Sequence, residues 1–139
     1  MDSNITLLAF FAAILIVAGL VLVMMVAKGG KQLNQERYRS KWLAIERSLT
    51  RDKPESYQLS VLNADKLLDQ AMKEAGYKGS TMGERLKSAS SRLSNKNAVW
   101  SAHKLRNQIA HESDVAVSYD AARRALASFK QALKELGAI

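Results

Sequence analysis

The residues best suited to chemistry lie in one segment, Leu105 to Glu112, which reads LRNQIAHE. Within it, Arg106, Asn107 and His111 supply a guanidinium, an amide and an imidazole. An imidazole moves protons near neutral pH, and a guanidinium holds a phosphate through two hydrogen bonds as negative charge builds on it. Such a set suits cleavage of RNA without a metal ion, with the RNA 2′-hydroxyl as the attacking group.

The spacing of these residues predicts that they lie near the end of a helix. His103, Asn107 and His111 are four residues apart and Arg106 adjoins Asn107, so we expect all four on a polar side that flanks an apolar stripe. His103 and Glu112 are accessory candidates at most. A purely structural interpretation stands beside this one: the helix dipole favours His111 near a helix C-terminus, and Arg106 pairs with a nearby acid.

The motif and its helical context resemble the HEPN domains, whose signature is an arginine, usually followed by a polar residue, and then a histidine. Arg106, Asn107 and His111 match this pattern with four residues between the arginine and the histidine. The resemblance implies a metal-independent endoribonuclease that dimerises, so that motifs from two chains form one cleft. It implies His111 as general acid or base, Arg106 as the group that stabilises the scissile phosphate, and Asn107 as the residue that orients Arg106 or the substrate.

Many HEPN domains are non-catalytic, so the alternative is a membrane-tethered adaptor or binding module. The partners in these interpretations are membrane lipid, RNA, a second copy of the chain, and a protein partner or antitoxin whose identity the sequence leaves open. No cofactor is expected. The absence of cysteine excludes thiolate nucleophiles and Cys-ligated metals, and two histidines outside any metal-ligand spacing make a transition-metal site unfavourable.

One long apolar segment indicates where the protein works. Residues 5–27 contain no charge, and as a helix they reach roughly 34 Å, enough to cross a hydrocarbon core of about 30 Å. A cleaved signal peptide fits less well, because it needs a basic start and a shorter apolar stretch, whereas this chain begins MDSN. We therefore expect a transmembrane anchor over residues 1–28.

Basic residues crowd the C-terminal side of this segment. Residues 28–53 hold eight basic and three acidic residues, whereas the segment before the apolar run carries only Asp2. By the positive-inside rule this predicts a single-pass protein of the cell membrane, with its N-terminus outside and its C-terminal part cytoplasmic. We expect residues 29–53 to form a basic juxtamembrane helix or linker against anionic lipid, with a hinge at Gly29-Gly30 and a helix from Lys31 to about Thr50.

Residues 54–139 predict a small up-and-down helical bundle of the HEPN-like type, and the fold class of the whole chain is all-α. No stretch alternates with a period of two, so no sheet is expected. The predicted helices run from Pro54 to about Gly76, from a capping box at Thr81 and Glu84 to about Leu93, from about Ala98, and from an N-cap at Ser118 to Gly137.

Apolar residues at helical spacing predict the core of this bundle. In the first of its helices they are Tyr57, Val61, Ala64, Leu68, Met72 and Ala75. In the last they are Tyr119, Ala122, Leu126, Phe129, Leu133 and Leu136.

Overall fold

The structure is a computed structural model that describes residues 2–27 and 31–139. Within these ranges the chain forms six α-helices, a short 3-10 turn at Ser90–Arg92 and no β-strand. The helices are α1 (Asp2–Ala27), α2 (Gln35–Ser48), α3 (Glu55–Glu74), α4 (Met82–Ala89), α5 (Lys96–His111) and α6 (Tyr119–Glu135). The predicted fold class, an apolar N-terminal helix followed by an all-helical bundle, is confirmed. The hinge predicted at Gly29-Gly30 lies outside the described residues.

Helix α1 forms the first of two compact units, Met1–Gly30 and Lys31–Ile139. Its segment Ser3–Met24 has a mean hydropathy of 3.0, and every side chain in that segment is exposed. The helix is therefore long and apolar enough to span a membrane, a property that an N-terminal signal sequence shares.

The second unit begins earlier than the bundle predicted over residues 54–139, because α2 is part of its core. Tyr38, Trp42 and Ile45 lie on one side of α2 and are buried, and α2 packs on α3. The segment predicted as a basic juxtamembrane helix or linker thus supplies a structural helix of the bundle. It begins at Gln35 rather than Lys31, because the side chain of Asn34 accepts a hydrogen bond from the backbone N–H of Arg37 at 3.0 Å and caps the helix.

Helix α3 is the central element of this unit, since it packs against α2, α4, α5 and α6. All six core positions predicted for α3 are buried, as are the predicted positions 122, 126, 129 and 133 of α6. Burying these stripes against one another holds the four helices around α3.

The helix ends follow the local signals in the sequence. The side chains of Thr81 and Ser118 accept hydrogen bonds from Glu84 N and Ala121 N, as N-caps do. Gly76 and Gly137 follow α3 and α6 with positive φ angles of 90° and 74°, a conformation that favours glycine. The helix predicted to reach Leu93 ends earlier, because the chain tightens into the 3-10 turn after Ala89.

Candidate functional site

A buried histidine and aspartate form the centre of the candidate site. Nδ1 of His103 lies 2.7 Å from Oδ1 of Asp65, and the two residues are 7% and 3% exposed. Asp65 lies on α3 and His103 on α5, two helices that pack on each other. A polar group removed from water needs a hydrogen-bond partner, and each residue supplies one for the other.

Asn107 and Arg106 extend this pair into a ring of four side chains, which we call the polar ring (Asp65, His103, Arg106 and Asn107). Nη1 of Arg106 donates to Oδ1 of Asn107 at 3.0 Å, so Nδ2 of Asn107 faces Nε2 of His103 at 3.3 Å. Nε of Arg106 is buried and forms no hydrogen bond among the described residues, but it lies 3.3 Å from Oδ2 of Asp65, and this ion pair closes the ring.

The ring engages both nitrogens of His103. An amide nitrogen only donates hydrogen bonds, so Nε2 of His103 accepts from Asn107 and Nδ1–H donates to Asp65. Arg106 lies against the second oxygen of the same carboxylate and supplies a positive charge beside Asp65. Both ring nitrogens of His103 are engaged, so His103 can accept a proton from a substrate only after Asn107 moves away.

The polar ring lines a cleft of about 810 Å³ formed by α3, α5 and the start of α4. Two further cationic side chains, Lys66 and Arg85, line this cleft, together with the partly buried Trp100. The Trp100 ring contacts His103 edge-on, with 6.0 Å between the ring centroids. The carboxylates of Asp65 and Asp69 line the cleft as well, so it combines an excess of one positive charge with an aromatic surface.

A second ion pair braces the wall of the cleft where α4 packs on α3, between the buried Arg85 and the partly buried Asp69. Nε and Nη2 of Arg85 donate to the two carboxylate oxygens of Asp69 at 2.6 and 3.0 Å, and Lys73 lies 3.1 Å from the same carboxylate. Burial raises the pKa of Asp69, but the hydrogen bonds from Arg85 and Lys73 outweigh it, so the pKa lies below its ordinary value. Arg85 also donates to the carbonyl of Gly79, which ties the loop before α4 to this wall.

The guanidinium of Arg106 retains a donor for a ligand. Its Nε and Nη1 face Asp65 and Asn107, while no described residue accepts a hydrogen bond from Nη2, and the side chain is 36% exposed. Near it, the exposed Lys66 lines the same cleft. This arrangement can hold a phosphate, since a guanidinium held in a fixed orientation donates to phosphate oxygens with little loss of side-chain entropy.

The structure brings together only three of the four residues predicted to share a polar side. Arg106, Asn107 and the accessory candidate His103 meet in the polar ring, whereas His111 is the exposed last residue of α5. Five residues on an ideal helix rotate a side chain by about 140°, so Arg106 and His111 point in different directions. Glu112 follows the helix as its C-cap, is exposed, and forms no ion pair among the described residues.

Asp65 is the main residue of the site that the sequence analysis missed. It lies four residues after Val61 and three before Leu68, both fully buried, so it occupies a core position of the α3 stripe. A charged residue at such a position signals a buried partner elsewhere in the chain. The Asp69–Arg85 pair was missed as well, and Arg85 carries a similar signal beside Leu86.

Comparisons with known proteins found no match to this chain. No protein-family model matches the chain, and neither a curated protein nor a solved structure is significantly similar to it. Within residues 2–27 and 31–139, no group of three or more His, Asp or Glu side chains is placed to hold a metal ion.

Proposed function

We propose that this protein is a membrane-anchored RNA-binding module whose cleft beside the polar ring receives the RNA backbone. The observation that carries the proposal is the placement of Arg106, which is held by Asp65 and Asn107 and keeps Nη2 available in a cleft that Lys66 and Trp100 also line. Cationic groups that contact phosphates, next to an aromatic ring that stacks on a base, are the recurring elements of single-stranded RNA recognition.

The charge of the bundle supports a polyanionic partner. Residues 31–139 contain 20 basic and 12 acidic residues, which leaves a formal net charge of +8 on this unit. A surplus of this size attracts nucleic acid over distances of about a Debye length. Most of these basic side chains form no ion pair among the described residues, so a carboxylate partner does not offset their charge.

The apolar surface supports RNA over a protein partner at the cleft. Among the described residues of the bundle, Leu43 and Leu59 are the two large apolar side chains that remain exposed, and neither lines this cleft. Surfaces that recruit proteins usually expose a contiguous apolar patch. A non-catalytic adaptor for a protein partner is therefore the less favoured of the two binding functions.

The test is binding of a fluorescent single-stranded RNA to the full-length protein in nanodiscs of uncharged lipid. Lys66→Gln removes a charge from the cleft without touching the polar ring, and Lys87→Gln removes a charge from an exposed position outside the cleft. We expect Lys66→Gln to weaken binding about five-fold or more and Lys87→Gln to change it little, measured by fluorescence anisotropy. Equal loss in both variants would show that RNA binding does not depend on the cleft, and no binding by the wild type would favour the adaptor function.

A second candidate function is metal-independent RNA cleavage by a dimer, as the resemblance to HEPN domains implies. The observation that favours it is the position of His111, which is exposed at the end of α5 and forms no hydrogen bond or ion pair through its side chain among the described residues. Because Arg106 and His111 of one chain point in different directions, a site that uses both needs a second chain. Membrane tethering raises the effective concentration of that second chain.

Mixing two inactive variants tests this dimeric site. Full-length Arg106→Lys and His111→Gln proteins are each assayed for RNA cleavage in EDTA, alone and after mixing in detergent. A composite site predicts that the mixture regains about a quarter of the wild-type activity, because half of the dimers are mixed and each has one intact site. No cleavage by the dimeric wild type would leave RNA binding as the proposed function.

A further inference from the structure

A second surface combines apolar and basic residues from α2 and α6 and shares no lining residue with the cleft. Two adjoining depressions of about 530 and 350 Å³ share Trp42, Glu46 and Lys130, and together they form one groove. We call this the α2/α6 groove. Its apolar residues include Trp42, Leu43, Leu49, Tyr119, Leu126 and Ile139.

Leu43 distinguishes this groove from the rest of the bundle surface. It is 47% exposed and is one of the two large apolar side chains that remain exposed among the described residues of the bundle. Trp42 beside it is 2% exposed and belongs to the core. The groove is thus a surface depression that rests on the core, with one apolar side chain exposed in it, rather than a cavity within the core.

The edges of the groove are positively charged. Glu46, the one acidic side chain among the described residues that line it, is paired with Lys130 at 2.6 Å. Three more cations, Arg39, Arg123 and Lys134, line the groove and form no ion pair among the described residues. The groove therefore presents three uncompensated positive charges around an apolar centre.

We propose that the α2/α6 groove docks on the anionic phospholipid surface of the membrane in which α1 is anchored. Apolar residues surrounded by lysine and arginine are the pattern of interfacial membrane binding, in which the apolar group enters the headgroup boundary and the cations contact lipid phosphates. The inference rests on membrane insertion of α1 and is independent of RNA binding at the cleft.

The short segment between α1 and α2 favours lipid over other anionic partners of the groove. Helix α1 ends at Ala27 and α2 begins at Gln35, and the seven residues between them reach about 25 Å at most when fully extended. A membrane-spanning α1 therefore keeps anionic headgroups within reach of α2 at all times, whereas a soluble partner must be captured from dilute solution.

Fluorescent labelling at single cysteines tests this docking in the full-length protein. The chain has no cysteine, so Leu43→Cys and Leu59→Cys each carry one environment-sensitive dye. Both positions are exposed and apolar, but only Leu43 lines the groove, so Leu59→Cys is a matched control. The proteins are reconstituted in vesicles of phosphatidylcholine, with or without phosphatidylserine, that contain a quencher attached to the lipid chains.

We expect phosphatidylserine to increase quenching at position 43 several-fold and to leave position 59 unchanged. The triple variant Arg39→Gln, Arg123→Gln and Lys134→Gln should lower docking by about five-fold for each residue removed. A control triple variant, Lys78→Gln, Lys87→Gln and Lys104→Gln, removes the same charge outside the groove and should dock like the wild type.

Two results would overturn the proposal. One is equal quenching at positions 43 and 59 in anionic vesicles, which would show that the groove does not face lipid. The other is a signal at position 43 that responds to added RNA in phosphatidylcholine vesicles and not to phosphatidylserine, which would assign the groove to RNA.

Discussion

At the scale of single residues, the polar ring gives two residues of the predicted motif a structural role, because they contact a buried histidine and a buried aspartate. Arg106 and Asn107 belong to the segment that the sequence analysis selected for chemistry, yet in this fold their first contacts are with Asp65, with His103 and with each other. The resulting network pairs Asp65 with His103 and Arg106 and engages both nitrogens of His103. Binding through the remaining donor of Arg106 is compatible with this arrangement, whereas proton transfer by His103 requires it to open.

The first prediction concerns Asp65, because its substitution leaves His103 and Arg106 without the carboxylate that they contact. We expect Asp65→Asn to lower the free energy of unfolding by about 2 kcal/mol, because it removes a charge-assisted hydrogen bond and an ion pair. The loss stays below the roughly 3 to 5 kcal/mol of a fully buried pair, since the Arg106 side chain is 36% exposed. Urea unfolding of the full-length protein in detergent, followed by circular dichroism, measures this difference.

Asp114→Asn is the matched control, because Asp114 is exposed and forms no ion pair among the described residues. It should change the free energy of unfolding by less than about 0.5 kcal/mol. If Asp65→Asn were no more destabilising than this control, the polar ring would not contribute to stability.

The second prediction concerns how the ion pairs of Asp69 affect the stability of the fold at acidic pH. Because the pKa of Asp69 in the folded protein lies below its ordinary value of 3.8, its ion pairs stabilise the fold fully above that value. This contribution is lost as the pH falls through the lower, folded pKa. We expect the free energy of unfolding to fall less steeply between about pH 5 and pH 2 in Asp69→Asn than in the wild type.

Urea unfolding at a series of pH values measures this slope. Asp114→Asn again serves as the comparison and should retain the wild-type slope. An unchanged slope in Asp69→Asn would mean that Arg85 and Lys73 do not favour the charged form of Asp69.

At the scale of helices, capping determines where α6 begins and so which of its residues reach the core. We predict that Ser118→Ala lowers the free energy of unfolding by about 1 kcal/mol, because the hydrogen bond from Ala121 N to Ser118 Oγ is lost. Ser118→Asp should retain most of the stability, since a carboxylate caps equally well. Thermal unfolding of the three proteins tests this order, and similar destabilisation by both substitutions would contradict it.

Helix α2 shows a different effect at the same scale. Its charge pattern predicted a basic segment against lipid, but Tyr38, Trp42 and Ile45 on one side bury it against the bundle. The two properties are compatible, because the residues that face outward include Arg39 and Leu43, which line the α2/α6 groove. One helix therefore contributes both to the core and to the surface proposed to bind lipid.

At the scale of the whole molecule, the prediction is a single membrane crossing with the N-terminus outside and the bundle in the cytoplasm. Because the chain lacks cysteine, Ser3→Cys and Lys87→Cys report the two sides separately. We expect a membrane-impermeant maleimide to label Ser3→Cys in intact cells and Lys87→Cys only after permeabilisation.

The same samples separate an anchor from a cleaved signal sequence. An anchored protein keeps its full mass of 15.4 kDa and stays with the membrane in alkaline carbonate. A shortened chain that lacks the label at position 3 would show that the N-terminal segment is cleaved. Labelling of Lys87→Cys in intact cells would show that the topology is the opposite of the one predicted.

The sequence by itself determined the features that depend on neighbouring residues. The apolar run of α1, the core stripes of α3 and α6, and the caps at Thr81 and Ser118 each follow from residues within a few turns of one helix. Their signals are local, so the all-α fold and most helix boundaries were predicted correctly.

Only the tertiary structure decided which polar residues meet. Asp65 and His103 are 38 residues apart in sequence, and their contact depends on how α3 packs on α5. The rotation of α5 about its axis turns His103 and Arg106 toward Asp65 and leaves His111 exposed at the helix end. Helical spacing places residues on one helix relative to each other, but the partner that each of them faces is determined by packing between helices.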